Sequence, residues 1–461
     1  MISIAHAASE EASTCEERTV RDVRGLIALC QGEVRNLRRL ALRGAFCDED
    51  LRLLPATLRT LELADCPAVS SRGLALLHGL PLETLVLRRV PLDAQGADLL
   101  ARHASLTTLH LEHVPVDATC AQALARSGTL TALHLNQCAL TPGCIAALAE
   151  SPRLSHLQAR GNALGPEAGA ALLACRTLKV LDLNDNRLGP QGTAMIARMR
   201  GLQSLSLNHN AIGDPGAQAL AELPGLHTFM AHGNLIGEAG AGALAQSTAL
   251  RSLGLHRNRL GDAGTRALAA SGGLEHLSLS RNGIGVAGAA ALAHMPTLAT
   301  LVVAHNPLGD AGATALATSV SLRFLDAGDC QIGDSGAAAL ACCARLMALV
   351  LNNTSSDTVR IGERGALALA ASPSLEEIDL EGQAVGSAGA RAFAANLRLR
   401  CLSLARNEVG NAGAHALVRN ATLASLDLWN NRVTDATLDC PSAPWIRRRG
   451  TASRSVGRVS G

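Results

Sequence analysis

A unit of 24 residues recurs without slippage through most of this chain, and this period constrains the fold more than any other feature. The clearest copy reads L-x-x-L-x-L-x-x-N-x-I-G-D-x-G-A-x-A-L-A from Leu202 to Ala221. A fixed period of about 20–50 residues is typical of solenoids, in which one unit buries its apolar side chains only against its neighbours. The chain is therefore expected to fold as a stack of small, similar units.

Each unit is expected to contain one short strand and one short helix. Leu205 and Leu207 alternate with polar residues, as a strand with one buried face requires. Asn210 follows at the bend, where its amide can pair with backbone groups of neighbouring units. Asp214 stands where the N-cap of the same unit's helix is expected, and Leu220 lies on the buried face of that helix. This is the leucine-rich-repeat pattern.

The first leucine of each copy marks a repeat start, and these starts divide the chain into four regions. Seventeen repeat starts run from Leu37 to Leu423; the first interval is 21 residues, the one after Leu346 is 29 and the others are 24. We predict a disordered N-terminus at 1–16, a capping helix at 17–36, one continuous array of about 17 repeats at 37–440, and a basic flexible tail at 441–461. The helix leucine recurs in nearly every repeat, and Phe393 replaces it once.

Composition excludes several classes of function. Aromatic residues make up 1% of the chain and the net charge is +2, so stacking platforms and a basic stripe for nucleic acid are missing. No apolar run reaches the length of a membrane span, and the N-terminus lacks the features of a Sec signal peptide. Thirteen cysteines without a C-x-x-C pair favour reduced, mostly buried thiols, three of them (Cys66, Cys138, Cys330) replacing the repeat asparagine.

The polar positions of the strands form the expected binding surface, a concave face that solenoids commonly use for partners. The alternative is a sheet face that is merely solvated. The candidate protein-binding residues on this face are Arg88, Arg89, His113, Arg160, Asp182, His209, His232, His256, Arg257, Arg281, His305 and Asp329.

Two further features leave alternatives open. His110 and His134 share one slot in adjacent repeats, as do His232 and His256, and either pair suits a metal site, a pH switch or a neutral polar face. Five extra residues around 353–359 lengthen one loop beside the strands. This loop could contact a partner, or it could be a tolerated insertion. No catalytic motif, metal-ligand set or cofactor motif is found, so we expect no enzyme activity and no cofactor.

The recurring segment G-A-x-A-L-A, as in residues 240–245, 288–293 and 312–317, resembles the GALA-type leucine-rich-repeat proteins of plant-pathogenic bacteria, which are type III secreted effectors. It is also similar to ribonuclease-inhibitor-like repeats. The fold implied is a right-handed α/β solenoid, a horseshoe with a parallel inner sheet and short outer helices. The resemblance implies virulence and an F-box that recruits host ubiquitin ligases; no F-box is found in residues 1–57.

The expected function is a non-enzymatic scaffold for protein–protein interaction, acting as a monomer on a protein partner and not on nucleic acid or membrane. The resemblance implies a type III effector, made in the bacterial cytoplasm and secreted into a host cell. The alternatives are a ribonuclease-inhibitor-like regulator of an endogenous enzyme, or a ubiquitin-ligase adaptor without a recognisable F-box.

Overall fold

The computed structural model describes residues 17–31, 37–355, 359–434 and 446–447, and these fall into two compact units, 1–188 and 189–461. The disordered segment expected at 1–16 and all of the expected tail except residues 446–447 lie outside the described residues.

The first unit contains eight strands and six α-helices within its described residues. The strands are β1 (Glu17–Val20), β2 (Arg39–Arg43), β3 (Thr60–Ala64), β4 (Thr84–Arg88), β5 (Thr108–Glu112), β6 (Ala132–Asn136), β7 (His156–Gln158) and β8 (Val180–Asp182). The helices are α1 (Val23–Gln31), α2 (Ser71–Leu76), α3 (Ala94–Ala101), α4 (Ala118–Ala125), α5 (Pro142–Ala149) and α6 (Glu167–Ala171), and short 3-10 helices lie at Asp48–Leu53, Leu77–Gly79 and Leu172–Ala174.

The described part of the second unit holds eleven strands and ten helices. The strands are β9 (Ser204–Ser206), β10 (Thr228–Met230), β11 (Ser252–Gly254), β12 (His276–Ser278), β13 (Thr300–Val302), β14 (Phe324–Asp326), β15 (Ala348–Val350), β16 (Glu377–Asp379), β17 (Cys401–Ser403), β18 (Ser425–Asp427) and β19 (Ile446–Arg447). The helices are α7 (Gly189–Ile196), α8 (Gly213–Ala221), α9 (Glu238–Ala245), α10 (Gly261–Leu268), α11 (Val286–Ala293), α12 (Gly309–Leu316), α13 (Asp334–Ala341), α14 (Glu363–Ala370), α15 (Ser387–Ala395) and α16 (Asn411–Val418).

Within each unit, strands of consecutive repeats pair in parallel and in register. Leu253 pairs with Leu277, and Leu277 with Leu301, so the register advances by one repeat at every strand. The strand leucines and the helix leucines are both buried, and Phe393 is fully buried in the helix slot. The predicted α/β leucine-rich-repeat solenoid, with a parallel sheet and short helices, is confirmed. The core is a stack of leucine layers between strands and helices.

The N-terminal region differs from the helix predicted over 17–36. Residues 17–20 form strand β1, which pairs in parallel with β2, and only Val23–Gln31 is helical. Residues 32–36 lie outside the described residues. Thr19 and Val20 are β-branched, and the backbone of β1 supplies hydrogen bonds to the first edge of the sheet. A strand therefore covers this edge, while Leu26 of α1 is buried.

The repeat asparagines form a ladder of buried amides that joins each repeat to the one before it. In the first unit, Asn162 Nδ2 donates to the carbonyl oxygens of Leu135 (2.8 Å) and Ala159 (2.9 Å). Its Oδ1 accepts from the backbone N–H groups of Cys138 (2.9 Å) and Leu140 (3.1 Å). The expected pairing of the asparagine amide with backbone groups of neighbouring repeats is confirmed, and the second unit repeats it.

The prediction that Asp214 caps its own helix is wrong. Gly213, with φ of 59°, begins α8, so Asp214 is already a helical residue. Its Oδ1 instead accepts from the N–H of Gly237, the N-cap of α9 in the following repeat, at 2.6 Å. Asp262, Asp310 and Asp334 do the same for the next helices. The carboxylate satisfies orphan N–H donors of a neighbouring helix, so it stabilises the stacking of repeats.

Candidate functional site

Three columns of solvent-facing residues run along the strands of each unit. The first strand column holds the residue between the two buried strand leucines, such as His110 on β5. The second strand column holds the residue directly after the second leucine, such as Arg88 on β4. The left-handed column holds the next residue, immediately before the repeat asparagine.

The left-handed column is defined by its backbone conformation. Its non-glycine members have φ between 51° and 59°, a region that L-residues rarely adopt. Glycine replaces them at Gly161, Gly233 and Gly382. The column comprises Asp65, Arg89, His113, Gln137 and Asp185 in the first unit, and His209, Arg257, Arg281, His305, Asp329, Arg406 and Asn430 in the second. The repeated backbone fixes where each of these side chains leaves the chain.

In the first unit, the predicted arginines are matched by carboxylates. Arg89 makes two hydrogen bonds to Asp65, of 2.5 and 2.8 Å, and the Arg89 contact holds the pKa of the Asp65 carboxyl below its usual range. Arg88 lies 2.7 Å from Glu112 and 3.4 Å from Glu62. The Arg89–Asp65 pair is exposed, so it contributes little to stability and remains accessible to a charged partner. Arg88, Glu62 and Glu112, in contrast, are half-buried.

Arg160 and Asp182 occupy strand columns near the end of the first unit. Arg160 lies in the second strand column and its Nε is 2.9 Å from Asp185 Oδ2. Asp182 ends β8 in the first strand column, where burial raises the pKa of its carboxyl. His113 follows β5 in the left-handed column. These predicted residues are brought onto one side of the strands, but they do not converge on a single point.

In the second unit, charged groups follow one another along the left-handed column. Arg281 Nη2 lies 3.2 Å from His305 Nε2, and His305 Nδ1 lies 3.6 Å from Asp329 Oδ2. Asp329 also accepts hydrogen bonds from the backbone and hydroxyl groups of Thr354 and Ser355, which lower the pKa of its carboxyl. Arg257 has no ion-pair partner among the described residues and is exposed. This unit therefore offers a cation to a partner more openly than the first.

The histidines lie close together on the strands. His110 and His134 stack with ring centroids 3.9 Å apart, and His232 and His256 meet edge to face at 5.8 Å. Burial lowers the pKa values of His110, His232 and His256 to about 4, so these rings are neutral at pH 7. Across the described ranges, no group of three or more His, Cys, Asp or Glu side chains is placed to hold a metal ion.

His232 has a structural role that asparagine fills elsewhere in the second strand column. His232 Nδ1 accepts the backbone N–H of His256 at 3.0 Å, and Asn208 Oδ1 accepts that of His232 at 2.7 Å. Asn136 does the same for Arg160 in the first unit. The acceptor nitrogen of His232 is lost when the ring is protonated, whereas an asparagine oxygen remains an acceptor.

We therefore expect His232→Asn to reduce the loss of stability at low pH. The folded-state pKa of His232, about 4, is below the unfolded value of about 6.5, so its contribution is present above pH 6.5 and is lost as the pH falls towards 4. Thermal denaturation at pH 7 and pH 4.5 measures this loss in both proteins. Equal acid-induced decreases in melting temperature for the two proteins would contradict this role.

The cysteine side chains of the described residues are mostly buried, reduced thiols. Cys66, Cys138 and Cys330 are buried in the asparagine slot, and the ten cysteines from Cys47 to Cys401 form no disulfide. Burial raises the pKa of Cys138 to about 11. No helix in the described ranges combines the length and apolarity needed to span a membrane.

Sequence inspection missed a polar groove in the second unit. Arg360, Arg406 and Arg432 line it, beside the five-residue insertion. Arg406 belongs to the left-handed column, like Arg257 and Arg281. It could have been found by extending the repeat pattern beyond the insertion that follows Leu346. The insertion changes the spacing to 29 residues there, and this hides the correspondence.

A leucine rich repeat family model matches residues 248–308, and a second leucine rich repeat model matches residues 174–197, 200–221, 318–341 and 395–418. Together with the parallel strands and the buried leucine layers, these matches define the class: this is a leucine-rich-repeat protein. Such scaffolds are typical of protein–protein interaction and are generally not enzymes.

Among solved structures, the chain is similar to an internalin (inlF) from Listeria monocytogenes str. 4b F2365, with 18% identity, a TM-score of 0.39 and coverage of 90% of this chain and 91% of that one. It is also similar to the plant peptide hormone receptor RGFR1 in complex with RGF2, with 15% identity, a TM-score of 0.39 and coverage of 90% and 88%. No curated protein matches the sequence. Likeness at this level gives no information about the function of this chain.

Proposed function

We propose that this protein is a non-enzymatic scaffold that binds a protein partner through the strand columns and the left-handed column. The main support is an exposed, regularly spaced series of charged and imidazole groups in the second unit, at Arg257, Arg281 and His305. Their backbone is fixed by the repeat, so little conformational entropy is lost when a partner binds.

The spacing of these groups favours a macromolecular partner. Neighbouring parallel strands lie about 4.8 Å apart, so the six repeats from His209 to Asp329 extend over roughly 24 Å. Their charges lie along this length and are not gathered in one enclosed cavity. A small molecule would contact only one or two repeats, whereas a protein surface can contact the whole series.

The more specific proposal is a type III effector, made in a bacterial cytoplasm and acting inside a plant cell. It is supported by the G-A-x-A-L-A segments, in which a helix glycine lies close to the preceding repeat. The partner would then be a plant protein. The regulator alternative instead requires a partner from the same bacterium.

The experiment is an affinity capture with the intact chain immobilised, performed separately with plant extract and with extract of the producing bacterium. The double variant Arg257→Glu, Arg281→Glu reverses two charges of the left-handed column. Its matched control is Arg266→Glu, an exposed arginine in the last turn of α10. We expect the double variant to capture about tenfold less partner than the wild type, or less still. Its circular dichroism spectrum should be unchanged.

The outcomes separate the proposals. Equal capture by wild type and double variant, with loss in Arg266→Glu, would place the interface on the helices and contradict the binding surface. Capture from plant extract alone supports the effector proposal, and capture from bacterial extract alone supports an endogenous regulator.

A further inference from the structure

A polar groove with a volume of about 520 Å³ lies in the second unit, at the loop edge that follows the strands. Its walls combine three arginines with one carboxylate and one side-chain amide that faces solvent. These residues are Arg360, Arg406, Arg432, Glu408 and Asn430. The groove lies beyond the residues from His209 to Asp329 that the proposed function uses.

One member of the left-handed column that lines the groove, Gly382, has no side chain. Gly382 has φ of 75°, and a Cβ atom there would lie 2.0 Å from the carbonyl oxygen of Asn353. Only glycine therefore fits this position. Arg406 occupies the same column one repeat further on and also lines the groove.

The positive charges of the groove are only partly neutralised. Arg406 Nη1 lies 3.9 Å from Glu381 Oε1, and Arg432 Nη2 lies 3.3 Å from Glu408 Oε2. Arg406, Arg432 and Glu408 are exposed and Glu381 is half-buried, so solvent screens both pairs and they are weak. Arg360 is exposed and has no ion-pair partner among the described residues. A ligand that offers a stronger negative charge can recruit all three guanidinium groups.

The hydrogen bonds of the remaining lining residues also favour an anionic ligand, because those residues already use polar groups within the protein. The amides of Gln383, Asn407 and Asn431 donate to the backbone carbonyl oxygens of Leu351, Leu380 and Leu404. The Thr354 and Ser355 hydroxyls donate to Asp329. The donors left for a ligand are the guanidinium groups and the exposed amide of Asn430, which suit an anion with several acceptor oxygens.

We propose that this groove binds the phosphate group of a phosphorylated protein segment, with Arg360, Arg406 and Arg432 as its ligands. Guanidinium forks match phosphate oxygens in bidentate geometry, and a phosphomonoester dianion attracts them more strongly than an exposed carboxylate does. The inference rests on the proposed function only for the source of the phosphate, a protein partner. Free phosphate would use the same chemistry.

Isothermal titration calorimetry on the full chain tests the site with a blocked Ala-phosphoserine-Ala tripeptide, its unphosphorylated form and inorganic phosphate. We expect the phosphorylated peptide to bind and the unphosphorylated one not to bind. Arg360→Gln and Arg406→Gln should each weaken binding by about tenfold or more. Glu408→Gln should tighten it, because a competing carboxylate is removed.

The control is Arg266→Gln, which removes an exposed arginine in the last turn of α10, outside both the groove and the left-handed column. Unchanged affinity in this control, with loss in both groove variants, supports the site even if one variant is less stable. Equal binding of both peptides, or equal loss in Arg266→Gln and Arg406→Gln, would overturn it. Tighter binding of the phosphorylated peptide than of inorganic phosphate supports a phosphorylated protein segment as the ligand. Tighter binding of inorganic phosphate would contradict that ligand.

These titrations need no natural partner. A failure of phosphopeptide binding is therefore distinguishable from a failure of the protein-binding proposal, which the affinity capture measures with variants at Arg257 and Arg281.

Discussion

Replacing Asn306 with alanine is expected to lower the free energy of unfolding by about 3–5 kcal/mol. Asn306 is buried, and its Nδ2 donates to the carbonyl oxygens of Leu279 (3.1 Å) and Val303 (2.7 Å). Its Oδ1 accepts from the N–H groups of Asn282 (2.9 Å) and Ile284 (3.0 Å). Alanine would leave the buried N–H groups of Asn282 and Ile284 without an acceptor, and the carbonyl oxygens of Leu279 and Val303 would each lose one of their donors.

Urea denaturation followed by circular dichroism measures the effect, and Cys330→Ala is the control. Cys330 occupies the same slot one repeat later, and its thiol donates to the Val303 carbonyl oxygen at 3.1 Å. A thiol is a weak donor, so the control should lose much less than the Asn306 variant. Similar losses for the two substitutions would show that the amide ladder is not what couples the repeats.

The second large effect concerns a glycine pair on one helix. Gly240→Ala should destabilise the protein by about 1–3 kcal/mol. An added Cβ would lie 2.6 Å from Asp214 Oδ1, 2.8 Å from Ile236 Cγ2 and 3.1 Å from Ala217 Cβ. Asp214 can move away only by giving up its hydrogen bond to the N–H of Gly237.

Gly242→Ala is the matched control, two residues further along α9. Its added Cβ would meet only Ala267 Cβ at 3.6 Å, an ordinary contact. Alanine favours the helix, so this variant should be about 0.5–1 kcal/mol more stable than wild type. Thermal denaturation of both variants decides the matter: destabilisation by Gly242→Ala, or none by Gly240→Ala, would show that close helix packing does not explain the G-A segments.

The sequence predicts the repeated elements well because each depends on a residue's place within one repeat. Alternation of Leu205 and Leu207 requires a strand, and the apolar period requires Leu220 to face the core. The asparagine ladder is predictable for the same reason, because stacking leaves backbone groups that an amide at the bend can satisfy.

Relations between repeats are harder to predict. A perfect 24-residue period does not distinguish an Asp214 carboxylate that caps its own helix from one that caps the next helix, since both repeats offer N–H groups. The structure shows that Asp214 lies within the first turn of α8 and that its carboxylate reaches the N–H of Gly237 in the next repeat. The first strand was missed because Glu17–Val20 is short and belongs to no repeat.

The sequence predicted the positions of the candidate-site residues along the repeats, but not the contacts between their side chains. The period places Arg257, Arg281 and His305 in one column, and the structure agrees. It does not reveal that Arg89 pairs with Asp65 or that His232 replaces an asparagine as a hydrogen-bond acceptor. These depend on side-chain conformation, which neighbouring repeats determine together.

The claim that the strand side binds protein is tested most directly by histidine labelling of the chain with diethyl pyrocarbonate, free and in complex with the captured partner, read by mass spectrometry. His209 and His305 are exposed members of the left-handed column, whereas His294 and His415 are exposed on the helical side, at the end of α11 and in α16. We predict that the partner protects His209 and His305 and leaves His294 and His415 as reactive as in the free protein. Protection of His294 and His415 with unchanged labelling of the two column histidines would contradict the claim.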